Sequence, residues 1–380
     1  MPDVDRVHDG RLARLLGPVV KAIDAHGGNI YRVAREQHRR PAELCDFSAS
    51  INPLGPPGRV LRALRNGLWA LGHYPDPDAY EVRQALGKQF GLPPDRFLIG
   101  NGSAELISLL PGSLKIRRAL VVGPTFSEYE SAIRRADAVC TYSFAARRED
   151  YRPPIERVMM RLEKQRDIEA VFLCNPNSPT GQVVAKRDLL LLTGVLNRYN
   201  RWLVIDEAFC EFAPDHSLLD ALSRCPRLVI LRSCTKFFSI PGLRLGYLVG
   251  HPAVLEQVRQ HQVPWSVNAL AQIAALAALE ETGYRDASLR YVEQERRRFV
   301  SALRAIPGLH VFPSAANFLL IELPSAMSAG RLSDRLRKSG ILVRDCSHVP
   351  GLNKRTIRIA VKRRRDNMRL CRALKEILHG

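Results

Sequence analysis

Between about Phe97 and Val249, short apolar runs alternate with longer stretches whose apolar residues recur at helical spacing. Runs such as Ala170 to Cys174, Trp202 to Asp206 and Leu228 to Leu231 are almost free of polar residues, as strands buried on both faces are. The segments between them are long enough to be crossover helices, so the pattern predicts an α/β fold with a mainly parallel sheet. After Pro252 the order changes. Helical stretches at Ala269 to Leu279 and Tyr291 to Ile306 are followed by strand-like Asn317 to Glu322, a helix near Arg331 to Ser339, and strands at Ile341 to Arg344 and Thr356 to Val361. This reads as a smaller α+β domain joined by the N-terminal segment. The expected division is a large domain over residues 55–255, with 1–54 and 256–380 forming the small one.

At 380 residues and 46% hydrophobic, the chain can bury a large core, and its length fits two or three domains. No apolar run approaches the ~18–20 residues of a membrane span. Met1 to Ala25 carries acidic residues and no signal-peptide core, so no membrane association and a cytoplasmic location are expected. The 8 cysteines are scattered without metal-ligand spacing, which points to reduced thiols and no metal site. A net charge of +19 raises nucleic-acid binding, with Arg363 to Arg365 and Arg296 to Arg298 as local support. Yet the second cluster lies in a helical pattern with Glu293 and Glu295, and no nucleic-acid-binding motif is visible. A solvated basic face that attracts phosphate esters is the expected reading, with no nucleic-acid partner.

Four segments carry chemistry. Lys236 lies in Ser-Cys-Thr-Lys-Phe-Phe-Ser-Ile-Pro-Gly-Leu-Arg (233–244), just past an apolar strand. A lysine amine can form a Schiff base with an aldehyde, and Ser233, Thr235 and Arg244 can grip a phosphate, which suggests pyridoxal 5'-phosphate (PLP). A protonated pyridine ring needs an anion, and Asp206 ends a buried strand at its carboxyl edge, although strand-end aspartates also cap turns. Phe97 to Gly100 leads through Asn101 and Gly102 into a helix starting near Ser103, whose free amides suit a phosphate. Asn175-Pro-Asn-Ser-Pro-Thr-Gly181 is a rigid turn after a strand, placed to present polar groups to a ring hydroxyl.

Together, in this order, the four segments resemble the fold-type I PLP enzymes of the aspartate aminotransferase superfamily over nearly the whole chain. Within it, His26-Gly-Gly-Asn29, Asp46 to Gly55, Pro124 to Glu130, Asp206 to Phe209, Pro264 to Asn268 and Arg344-Asp-Cys346 look like the L-threonine-O-3-phosphate decarboxylases of cobalamin synthesis. Histidinol-phosphate aminotransferases are the alternative. The resemblance implies a large domain with a mainly parallel seven-stranded sheet flanked by helices, a smaller α+β domain, and a homodimer. It implies Lys236 as the Schiff-base lysine, Asp206 at the pyridine nitrogen and Phe126 stacked on the ring. Ser103, Ala104, Ser233, Thr235 and Arg244 would hold the cofactor phosphate, with Tyr74 reaching in from a second subunit. Arg358 would clamp the carboxylate of a small phosphorylated amino-acid substrate in a planar fork, and Arg344, His26 and Asn29 would take its phosphate.

Two positions depart from that pattern. Ser178 stands where an asparagine usually donates to the ring hydroxyl, and Phe209 where aminotransferases of the group usually carry a tyrosine. The ring oxygen is therefore expected to have a poorer shell of donors, with Ser178 as the cofactor contact at its position.

Overall fold

A computed structural model describes residues 27–379, so His26 lies outside the described residues. In chain order the strands are β1 (Cys45–Asp46), β2 (Phe97–Gly100), β3 (Arg118–Gly123), β4 (Val139–Phe144), β5 (Ala170–Cys174), β6 (Trp202–Asp206), β7 (Leu228–Ser233) and β8 (Gly246–Val249). They continue with β9 (His310–Val311), β10 (Phe318–Glu322), β11 (Ile341–Leu342), β12 (Arg344–Asp345) and β13 (Thr356–Ala360).

The central sheet has seven strands in the order β2-β8-β7-β6-β5-β3-β4. Neighbours pair in parallel from β7 through to β4, while β8 pairs antiparallel with β7 and β2 on either side. The alternation of side chains along each strand explains why these runs are apolar throughout. Val171, Leu173, Leu203, Ile205, Leu228 and Ile230 enter one core, whereas Ala170, Phe172, Val204, Val229 and Leu231 enter the other. Both faces are covered. Helices Ile155–Lys164 and Lys186–Arg198 bury residues in the first core, and Ser103–Ser113 and Glu128–Arg135 bury residues in the second.

The sheet's polarity gathers the chemistry at one edge. The strands β2, β3, β5, β6 and β7 all end there, and β8 begins there, because Gly246 is the register partner of both Gly100 and Ser233. The loops carrying Phe126, Ser178 and Lys236 therefore emerge beside Asp206, and Arg244 arrives at the same edge two residues before β8.

The later part of the chain builds an antiparallel sheet, β12-β13-β10-β9, beside the parallel pair β1-β11. Its core holds Phe47, Phe299, Leu303, Leu332 and Leu370. Helix Thr282–Arg304 starts earlier than the expected Tyr291, since Gly283, which weakens a helix reading, sits within its first turn. It joins the two cores, with Val292 in that of the large sheet and Phe299 and Leu303 in that of the small one. Helix Ala269–Leu279 buries its alanines in the large-sheet core. The expected strand from Ile341 to Arg344 is two strands, because the chain changes partner at Val343, from β1 to β13.

Candidate active site

Lys236 lies in the short helix Cys234–Phe237 that follows β7. Its amine donates to Thr235 Oγ1 at 3.2 Å and Ser233 Oγ at 3.4 Å, and those two hydroxyls are 2.8 Å apart. The turn is pinned from the N-terminal segment. Asn52, buried, donates its amide to Phe237 O and Ser288 Oγ, both at 2.8 Å, and its backbone N–H to Lys236 O at 3.0 Å. Desolvation lowers the Lys236 amine to about 8, with Asp206 acting to raise it and Arg244 and Arg358 to lower it. A larger share of the amine is thus neutral, and nucleophilic, near pH 8 than an exposed lysine would offer.

Asp206 ends β6 in a buried position. Its carboxylate accepts the Tyr129 hydroxyl at 2.6 Å and the Ala208 N–H at 2.8 Å. Burial pushes its carboxyl up, and the two hydrogen bonds and Lys236 pull it back toward the ionised form. Beside Asp206 in sequence, Glu207 forms an ion pair with Arg232 at 2.6 Å, and Arg232 reaches Glu211 at 3.3 Å, all three side chains being buried. This triad fastens the ends of β6 and β7.

A second group of donors gathers where the loop after β2 meets Arg244 and β8. Helix Ser103–Ser113 begins after Gly102, at φ 79°, with no side chain capping its first amides. A Cβ on Gly102 would come within 2.6 Å of Arg244 Nη2, and one on Gly246 within 2.5 Å of the Ser103 nitrogen. Only glycine lets the loop, the arginine and β8 approach so closely. Uncapped helix amides, the Ser233 and Thr235 hydroxyls and a guanidinium are the donor set of a phosphate site, so the residues present fit PLP, with Ser103 and Ala104 supplying the helix start.

Phe126 follows β3 and meets Tyr129 edge-on at 5.8 Å between ring centroids. Its loop is tied to the loop after β5: Asn177, buried, accepts from Thr125 Oγ1 and donates to Pro124 O and Thr180 Oγ1, each at 2.8 Å. Phe209 also borders the lysine, its ring centroid 5.9 Å from Lys236 Nζ.

Arg358 on β13 is buried, and Arg344 on β12 is its register partner and also buried. The two Nη atoms of Arg358 donate to Ser178 Oγ at 2.9 Å and Ser48 O at 2.7 Å, and its guanidinium lies 5.2 Å from the Phe318 ring centroid. Burial and the neighbouring Arg344 both act against its charge. Among the described residues no carboxylate lies within ion-pair distance of Arg358. Arg344 and Asn29 line a cavity of about 360 Å³ together with Ser48, Arg32, Arg337 and His348. Asn29 also caps helix Ile30–Glu36, accepting from Arg32 N at 3.2 Å.

Residues 42–374 match the aminotransferase class I and II family. The chain belongs to that family. It is a PLP-dependent enzyme of fold-type I. The chain is 39% identical over 359 residues to the threonine-phosphate decarboxylase of Salmonella typhimurium, covering 94% of this chain and 97% of that protein. The crystal structure of the histidinol-phosphate aminotransferase from Clostridium acetobutylicum superposes with a TM-score of 0.82 at 31% identity, over 88% of this chain and 99% of that one. That of L-threonine-O-3-phosphate decarboxylase from Porphyromonas gingivalis gives 0.79 at 27% identity, over the same 88% and 99%.

Most of the residues singled out from the sequence meet at this edge of the sheet. Tyr74 stands apart, 81% exposed and stacked on Trp265 at 4.8 Å. Three residues that the sequence reading gave no role hold the site together: Tyr129, Asn52 and Asn177. The only sequence signal for the asparagines is that each sits in a proline-bounded turn next to a strand or helix end; Tyr129 reads simply as the first turn of a helix.

Proposed function

We propose that this enzyme decarboxylates L-threonine O-3-phosphate to (R)-1-amino-2-propanol O-2-phosphate, as in cobalamin biosynthesis. The observation that carries the reading is Arg358, buried on β13 with its two Nη atoms donating to the neutral Ser178 Oγ and Ser48 O. A buried guanidinium held by neutral acceptors suits a ligand carboxylate. Threonine phosphate has that carboxylate, and its phosphate suits the cavity that Arg344 and Asn29 line. The 39% identity to the Salmonella decarboxylase over 94% of the chain supports the same choice.

Bound at Lys236, PLP supplies an electron sink for the bond that breaks at Cα. Asp206, whose ionised form the Tyr129 hydrogen bond favours, would face the pyridine nitrogen. Arg358 would grip and orient the substrate carboxylate that leaves as carbon dioxide. The Lys236 amine would hold and deliver the proton that replaces it at Cα. Uncharged Phe318 and Phe209 wall this region, 4.9 Å apart, and an apolar wall favours loss of a charged carboxylate as a neutral gas. The active unit is a homodimer in which exposed Tyr74 completes the partner's phosphate site.

Histidinol-phosphate aminotransfer is the second reading, favoured by the TM-score of 0.82 to the Clostridium enzyme. It assigns the residues alike but breaks the Cα–H bond. Purified protein offered each phosphorylated amine, with carbon dioxide and 2-oxoglutarate-dependent amino transfer both assayed, separates the two. Carbon dioxide from threonine phosphate is expected; amino transfer from histidinol phosphate without it would overturn the proposal.

A further inference from the structure

Ser178 carries one chain-specific feature of this site. It occupies the position where the resemblance places a donor to the cofactor ring, but its hydroxyl oxygen accepts from Arg358 Nη1 at 2.9 Å, with both residues buried. The loop that holds it has little freedom to retreat. Gly181 N donates to Asn177 O at 2.6 Å, Gln182 Nε2 donates to Pro313 O at 3.0 Å, and a Cβ on Gly181 would sit 2.2 Å from Ser314 Oγ. A side chain of one carbon on so fixed a loop keeps its oxygen close to the backbone and against the arginine.

We infer that Ser178 is a positioning residue for Arg358, holding the guanidinium that grips the substrate carboxylate, and is not the donor to the ring oxygen. The inference rests on the proposed carboxylate role of Arg358. Ser178 Oγ and Ser48 O satisfy two N–H groups without adding negative charge, so the cation is oriented yet not neutralised. The buried Arg358 Nε has no acceptor among the described residues, so the positive charge of the guanidinium is left for an incoming carboxylate. Loss of the Ser178 hydroxyl would strand a buried N–H and let the fork turn.

The test compares wild type with Ser178→Ala and Ser178→Thr through three quantities: KM for threonine phosphate, the inhibition constant of the decarboxylated amine, which lacks the carboxylate, and the pH midpoint of the bound cofactor's visible absorption change. In Ser178→Ala, KM is expected to rise about tenfold or more, the loss of one hydrogen bond to a charged group. Inhibition by the amine and the spectral midpoint should stay within about twofold and a few tenths of a pH unit of wild type, and Ser178→Thr should restore KM. An unchanged KM in the alanine variant, or a midpoint that moves up while KM holds, would assign Ser178 to the ring and overturn the inference. A wild-type enzyme that binds both ligands equally well would instead remove the carboxylate role of Arg358 itself.

Discussion

The hydroxyl of Tyr129 donates to the carboxylate of Asp206 at 2.6 Å, and both side chains are buried beneath the edge where the sheet's strands end. Desolvation drives Asp206 toward its neutral form, and this hydrogen bond opposes it. Tyr129→Phe removes that opposition, raises the Asp206 carboxyl further and weakens its hold on the protonated ring nitrogen. Cofactor affinity should fall by about 1.5–3 kcal/mol, as for a lost hydrogen bond to a charged group. Because an elevated carboxyl pKa costs more charge as pH falls, the loss should be larger at pH 6 than at pH 8. Titration of apoprotein with PLP at the two pH values measures it; equal affinities for variant and wild type would show that Tyr129 does not support the anion.

Lys236 should react as a lysine of depressed pKa. With its amine lowered to about 8, the rate at which apoprotein captures PLP should rise as pH increases through 8 and level off above it, well below the range of an exposed lysine. Borohydride should then fix the cofactor on Lys236, and Lys236→Ala should lose nearly all turnover. Peptide mapping that places the adduct elsewhere would refute the assignment.

Arg358→Lys keeps the charge but loses the planar fork. Substrate binding should weaken by about 1.5–3 kcal/mol while cofactor affinity holds. The reverse pattern, read from KM and from PLP titration, would place Arg358 in the cofactor site.

Arg232 pairs with both Glu207 and Glu211 in a buried triad. Arg232→Met leaves two buried carboxylates uncompensated and should cost about 3–5 kcal/mol of stability by denaturant unfolding at pH 7. Protonation relieves unpaired carboxylates, and burial already pushes Glu211 up, so the deficit relative to wild type should shrink as pH falls toward 5. A deficit that does not depend on pH would mean the loss is one of packing.

Much of this fold can be read along the chain because its central strands are buried on both faces. Ala170 to Cys174 and Trp202 to Asp206 are continuous apolar runs, with boundaries set by the polar residues that begin the loops. Lys236, Asp206 and Arg244 are visible for a related reason, since each interrupts or follows such a run. What stays hidden is whatever depends on distant partners. Nothing local to Tyr129 says that it reaches Asp206, 77 positions away, and nothing around Asn52 says that it holds Phe237, 185 positions away. The split between β11 and β12 is likewise invisible, because the change of neighbour at Val343 depends on where β1 and β13 lie. Ser178 looks like a missing donor in one dimension; in three it faces Arg358.

A single turnover with L-threonine O-3-phosphate labelled with carbon-13 at the carboxyl group, at enzyme in excess and without any 2-oxo acid, tests the central claim most directly. The label should be released as carbon dioxide and bicarbonate, while the amine stays on the phosphorylated carbon chain and the cofactor returns to Lys236. Label retained in a 2-oxo acid, with the amino group left on the cofactor, would contradict it.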